Sequence, residues 1–146
     1  MTYKVSTGLR NQMLVTGSLR AALAGGSIRI FTGSEPASAD SAETGTLLCV
    51  IDKDGAGAGF TLDATAVDGI VAKVVADVLK GTNLATGTAG YYRHVGSSDT
   101  GTVSTTEPRV QGRVSTSGAE MNLGSASLVS GIEQPLDEYS INLPTF

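Results

Sequence analysis

The sequence predicts an all-β domain, a β-sandwich of jelly-roll type with about eight strands and one N-terminal α-helix. Two observations carry this. Short β-branched runs recur from Ser27 to the end of the chain, separated by Gly, Ser, Thr and Pro connections. Hydrophobic residues make up 40% of the chain but aromatic ones only 5%, with 19 glycines, so the core is expected from Val, Leu, Ile and Ala on closely packed strands. At 146 residues the size prior gives one domain, long enough to bury a core without disulfides. Within it, residues 1–24 form an arm and helix and residues 25–146 the sandwich.

The chain is organised around Gly25 to Leu48, GGSIRIFTGSEPASADSAETGTLL. Gly25 and Gly26 interrupt a helical pattern, Ser27 to Thr32 reads as a strand, and Gly33 and Pro36 end it. The polar stretch that follows is expected to lie ordered on a surface, outside any core, before Leu47 to Ile51 returns as a strand. Upstream, Met1 to Ser6 is a polar arm. Leu9, Met13, Leu19 and Leu23 then follow helical spacing for about four turns, with Ser6 or Thr7 as the cap and Gly25 as the stop.

Downstream, Asp54-Gly55 is a hairpin signal and Phe60 to Leu62 a brief strand. Ile70 to Leu79, IVAKVVADVL, is the most apolar run and is expected to cross the middle of a sheet, with room for a bulge at Val74-Val75. Gly90 to Val95 is a strand with Tyr91, Arg93 and Val95 on one side and Tyr92 and His94 on the other. Gly96 to Thr106 reads as a flexible connection. In Pro108 to Val114, Val110 and Val114 face inward and Arg109, Gln111 and Arg113 outward, and Gly112 makes room for a neighbour. Ala119 to Leu123 and Ser127 to Val129 are short strands, and in Glu138 to Leu143 the residues Tyr139, Ile141 and Leu143 share a face before Pro144 stops the ladder.

Candidate chemistry is sparse. The net charge of −4 argues against a nucleic-acid partner, and no apolar stretch approaches the ~18 residues of a membrane span. The one cysteine, Cys49, sits in LLCVI and reads as a small buried hydrophobe. Asp52-Lys53-Asp54-Gly55-Ala56-Gly57-Ala58-Gly59 lacks the glycine position of a calcium loop and the Lys-Ser/Thr of a phosphate loop, so the turn reading prevails. The single histidine, His94, is expected at a surface or a subunit contact. Acid and base are nowhere paired by spacing, and the expectation is a protein with no enzymatic activity, no cofactor and no metal. Arg93, Arg109 and Arg113 could align on neighbouring strands, either as a solvated face or as an anchor patch for an acidic partner.

The succession of the Gly-Leu-Arg-Asn helix, the Gly25 to Leu48 segment, ATGTAGYYRHV, RVQGRVSTSGAEMNL and a final SINLP strand resembles a group of small virion proteins of tailed bacteriophages and prophages. Its most specific parts are I-x-I-[FY]-[ST]-G-x-x-P-x-x-A-D at Ile28 to Asp40 and Gln111-Gly112-x-Val114-x-x-Ser117-Gly118-Ala119 leading to Asn122-Leu123. The resemblance implies a structural protein without active-site residues. Its expected role is that of a capsid decoration, or cement, protein that binds the major capsid protein and stabilises the head, with neck, tail or baseplate as alternative places. It would be made in the cytoplasm of the host bacterium and sit on the capsid surface as a homo-oligomer, a trimer for preference. Expected contacts are Leu9 and Met13 of the helix, Glu35 and Pro36 of the loop, and Arg93, Arg109 and Arg113. A carbohydrate-binding or adhesion module is the competing class, disfavoured by the scarcity of aromatic residues.

Overall fold

The computed structural model describes residues 3–143. Met1, Thr2 and the expected stop at Pro144 lie outside the described residues. The strands are β1 (Lys4–Val5), β2 (Ser27–Thr32), β3 (Leu47–Lys53), β4 (Ile70–Ala72), β5 (Leu79–Thr82) and β6 (Gly87–Val95), followed by β7 (Arg109–Ser115), β8 (Met121–Asn122), β9 (Ser127–Leu128), β10 (Glu133–Leu136) and β11 (Ser140–Asn142). One sheet runs β1-β7-β6-β2-β3-β5-β10, with β8 beside β7 and β9 beside β6, while β4 and β11 pair as a second, small sheet. Pairing is antiparallel except for β8 on β7.

The large sheet has two faces of opposite chemistry, set by the two-residue period of its strands. One carries Ile28, Ile30, Cys49, Ile51, Tyr92 and Val110, all fully buried. Helical residues Leu9, Leu19 and Leu23, with Phe60, Leu62 and Tyr139, cover it. Ile141 of the small sheet joins the same core and Val71 packs against it, so apolar side chains are enclosed between two sheets of very unequal size. The fold is thus all-β with a short helical N-terminus, as the sequence predicts. A jelly roll is not confirmed, because that arrangement divides its strands between two sheets of similar size.

Several elements follow expectation. Asp54 and Gly55 have φ of 58° and 66°, the paired positive values of a tight hairpin turn. A Cβ on Gly112 would lie 2.7 Å from that of Glu120 and 2.9 Å from the Tyr92 ring, so the glycine does admit a neighbour. Cys49 is buried, and burial with the nearby Asp52 pushes its thiol up to about 11, so it stays protonated.

Others do not. The four-turn helix is broken into α1 (Thr7–Asn11), a π-helical turn at Gln12–Thr16 and α2 (Leu19–Ala22). Gly17 ends the π turn with φ 174° and ψ −150°, and Ser18 then caps α2 through Ala21 N. Ile70 to Leu79 is not a central strand. It provides β4 in the small sheet, then a turn with Val75 92% exposed, and only its last residue enters β5. The connection from Gly96 to Thr106 is fastened by buried Asp99, and Leu143 faces solvent while Tyr139 and Ile141 are buried. Phe60 to Leu62 is reduced to isolated bridges, Gly26 with Phe60 and Leu62 with Lys73.

Ser6 ties the N-terminus to the sheet. Its Oγ accepts from Leu9 N at 3.1 Å, capping α1, accepts from Arg109 N at 2.9 Å, and donates to the Glu107 carbonyl at 2.7 Å. Ser6→Ala should therefore lower unfolding free energy by about 2 kcal/mol, the upper range for a lost cap, measured by urea denaturation.

Candidate functional site

The polar face of the large sheet brings three arginines together, Arg29, Arg93 and Arg109. Register places Arg29 opposite Arg93 and Arg93 opposite Gln111, with Arg109 opposite Val95 on the same side. Arg93, Arg109 and Gln111 are nonetheless fully buried. Residues 33–46 fold back across this face and residues 96–107 close it from the other side, and both offer main-chain carbonyls to the guanidinium groups.

Arg109 grips Asp99 with two bonds, Nε to Oδ2 at 2.5 Å and Nη2 to Oδ1 at 2.8 Å. It also donates to the carbonyls of Ala39 at 3.0 Å and Thr102 at 2.6 Å. Arg93 donates through Nε and Nη2 to Gln111 Oε1, at 3.1 and 2.6 Å, and through Nη1 to the Ser41 carbonyl at 2.9 Å. Gln111 Nε2 in turn donates to the Pro36 carbonyl at 2.8 Å. Arg29 pairs with Glu43 at 2.7 Å and donates to the Asp99 carbonyl at 2.6 Å. Tyr91, stacked on Phe31 at 5.0 Å, donates to the Thr44 carbonyl and accepts from its N–H. Burial raises the Asp99 carboxyl, but the bonds from Arg109 and Gly101 N outweigh it and hold the group below 3.8.

Of the seven expected contact residues, three are therefore unavailable. Arg93 and Arg109 do not point outward, because the polar loops cover the face that alternation assigned to solvent, and Leu9 is in the core. Glu35 pairs with Lys4 at 2.8 Å and the Pro36 carbonyl accepts from Lys4, so this part of the loop binds the arm. Thr7 and Asp40 make a second link, through two bonds of 2.7 Å. Arg113 is 60% exposed but lies 3.6 Å from Glu120. The signal for burial was present in the loops themselves, which bring Glu35, Asp40, Glu43 and Asp99 to a face holding three arginines.

His94 also departs from expectation, since it is fully buried on the apolar face. Its ring stacks on Phe60 at 4.9 Å, Nδ1 lies 3.0 Å from Tyr139 Oη, and Nε2 has no partner among the described residues. Burial pushes its pKa down to about 3, so it is neutral in the folded protein.

On the small-sheet side, a groove of about 370 Å3 is lined by Met13, Leu19, Val71, Ile141 and Leu143, among others. Residues adjoining its lining expose large apolar side chains, Leu14 at 82%, Val15 at 88% and Val67 at 68%. Met13, half-buried in the lining, is the one expected contact residue found here. Among the described residues, no group of three or more His, Cys, Asp or Glu is placed to hold a metal ion. No family model, curated protein or solved structure matches this chain.

Two predictions follow from the buried groups. Arg109→Ala leaves Asp99 charged and unpaired under the loops and should cost about 3–5 kcal/mol, whereas Arg113→Ala should cost about 1 kcal/mol or less, both read by denaturant unfolding. For His94 the folded value of about 3 lies below the ordinary 6.5, so the unfolded chain binds the proton more readily and stability falls with acidification. Between 6.5 and 3.8, before carboxylates such as Asp99 join, His94→Leu should remove a pH slope of up to about 1.4 kcal/mol per unit that the wild type shows.

Proposed function

We propose that this chain is a structural protein of a tailed-bacteriophage virion, a decoration protein that binds the major capsid protein on the head surface. The observation that carries the reading is where the polar chemistry goes: Arg93, Arg109 and Gln111 of the sheet face hold the protein's own loops, while large apolar side chains at Leu14, Val15 and Val67 stand exposed. Such a surface suits adhesion better than turnover. A carbohydrate module is less well supported, because Phe31, Phe60, Tyr91, Tyr92 and Tyr139 are all buried and cannot stack on a sugar. The segments closest to the resemblance, Ile28 to Asp40 and Gln111 to Leu123, contribute Arg29, the Pro36 and Ala39 carbonyls and Gln111 to the arginine-locked face. They are patterns of folding, consistent with a family that shares a scaffold.

The apolar side, from Leu14 and Val15 across to Val67, is assigned to contact between copies in a trimer, since homo-oligomer interfaces are more apolar than transient ones. The arm, α1 and the loop of residues 33–46 form a continuous polar surface and are assigned to the capsid lattice. Leu14→Asp with Val15→Asp should convert the trimer to monomer in sedimentation equilibrium without lowering the Tm of the subunit, as both side chains are solvated in it. A monomeric wild type would remove the trimer. Mass spectrometry of purified virions tests the location: hundreds of copies per particle fit the head or tail tube, about a dozen or fewer fit the neck or baseplate, and failure to label undecorated heads rejects the cement role.

A further inference from the structure

The apolar side of the molecule is divided by charge. Its groove, lined by Leu19, Val71 and Ile141 among others, runs between two walls. One wall is the π-helical turn, in which no residue is buried, together with α2. The other is the hairpin of residues 62–73, closed by a bridge of Leu62 with Lys73 and by two bonds between Val67 and Ile70, of 3.0 and 2.9 Å, around the turn Asp68-Gly69. Both walls are held by their own backbone bonds and present large side chains to solvent, Leu14 and Val15 on the first, Val67 and Ile70 on the second. An exposed apolar cluster of this kind marks a contact site.

Residues 12–25 of the helical wall include Arg20 and no carboxylate, and residues 62–72 of the hairpin include Asp63 and Asp68 and no cation. Lys73, at the hairpin base, is bonded to the carbonyls of Val74 and Asp77, at 3.4 and 2.8 Å. Arg20 donates from Nε to the Leu62 carbonyl at 2.8 Å, and Asp63 accepts from the N–H and hydroxyl of Thr65 at 3.0 Å each. Neither forms an ion pair among the described residues. The Asp63 carboxyl is held below its ordinary range first by the Thr65 bonds and last by Arg20, so the two charges are neighbours without being partners. A small ligand would need polar groups converging on it, whereas Ser18 and Asp63 serve local N–H groups and Arg20 a carbonyl. A partner matching both walls brings apolar side chains with an anion on one flank and a cation on the other. A second copy of this chain supplies that combination.

We propose that this side packs on a second copy of the chain head to tail: the helical wall of one copy meets the hairpin wall of the next, Leu14 and Val15 enter its groove, and Arg20 faces its Asp63. The inference rests on the reading that this side joins copies, and adds which surfaces meet. A ring of three needs such unlike halves, because a head-to-tail contact joins two different patches whereas a twofold contact joins a patch to itself.

The single variants Val15→Cys and Val67→Cys, one bearing a histidine tag, are co-expressed and treated with a short bismaleimide, to which buried, protonated Cys49 is inert. Electrophoresis separates the mixed product from the two same-variant products, and the mixed one should predominate. Both substitutions change exposed side chains, so this test does not depend on how the charge variants fold. Arg20→Glu and Asp63→Lys should each raise the dissociation constant about tenfold in sedimentation equilibrium, and the two together in one chain should restore it. A trimer that gives mainly same-variant products, or that neither charge reversal weakens, overturns this contact and spares the oligomer. A dimer that gives mainly the mixed product keeps the contact and rejects the threefold arrangement. A monomeric wild type overturns both.

Discussion

Arg93 and Arg109 carry charge in a place that water does not reach, and the structure around them is arranged to supply what water would have given. Two guanidinium groups present up to ten N–H donors between them, in a planar fork that demands acceptors at fixed directions. Strands cannot provide these, because the sheet's own carbonyls are engaged in ladders. The acceptors come from the Asp99 carboxylate, the Gln111 side chain and the main chain of Ala39, Ser41 and Thr102. Both covering loops are thereby fixed in position, and so are the arm and α1, which are bonded to the loop through Lys4 and Thr7. A buried ion pair of this kind is not a large net stabiliser relative to apolar packing, but it tolerates few alternative arrangements. Its contribution is to specify where long, polar, otherwise featureless segments lie.

The opposite face solves burial in the ordinary way, with Ile28, Ile30, Ile51 and Val110 against helical leucines. His94 is the exception. It is tolerated there because it remains neutral, stacks on Phe60 and meets Tyr139, so the core holds a polar group without holding a charge. The two faces of β6 therefore bury an arginine and a histidine on adjacent residues by unlike means, one ionised and saturated with acceptors, the other uncharged.

This division leaves the surface with a distinct character. Arg93 and Arg109 are not displayed, most described aromatic rings are inside, and the cysteine is a protonated core residue. What remains outside are short polar turns and the apolar side at Leu14, Val15 and Val67. The locked loops hold the surfaces they form in one arrangement, and a surface ordered in advance carries a lower ordering cost in any association.

The sequence by itself determined the strand-rich class, the strands at Ser27 and Leu47, the turn at Asp54-Gly55 and the buried state of Cys49, because each depends on local period, β-branching or backbone preference. It also determined that Arg109 and Gln111 share one face of their strand, since alternation requires only strand geometry, whereas the register that sets Arg93 beside them came from the structure. Which way that face looks was decided by tertiary structure alone: a two-residue period separates two sides but does not say which is wet, and here loops more than fifty residues apart in sequence converge to dry the polar one. The same limit governs the N-terminal helix, whose spacing was helical although Gly17 and Ser18 divide it, and Ile70 to Leu79, whose apolar content gave no hint that it would turn at the surface.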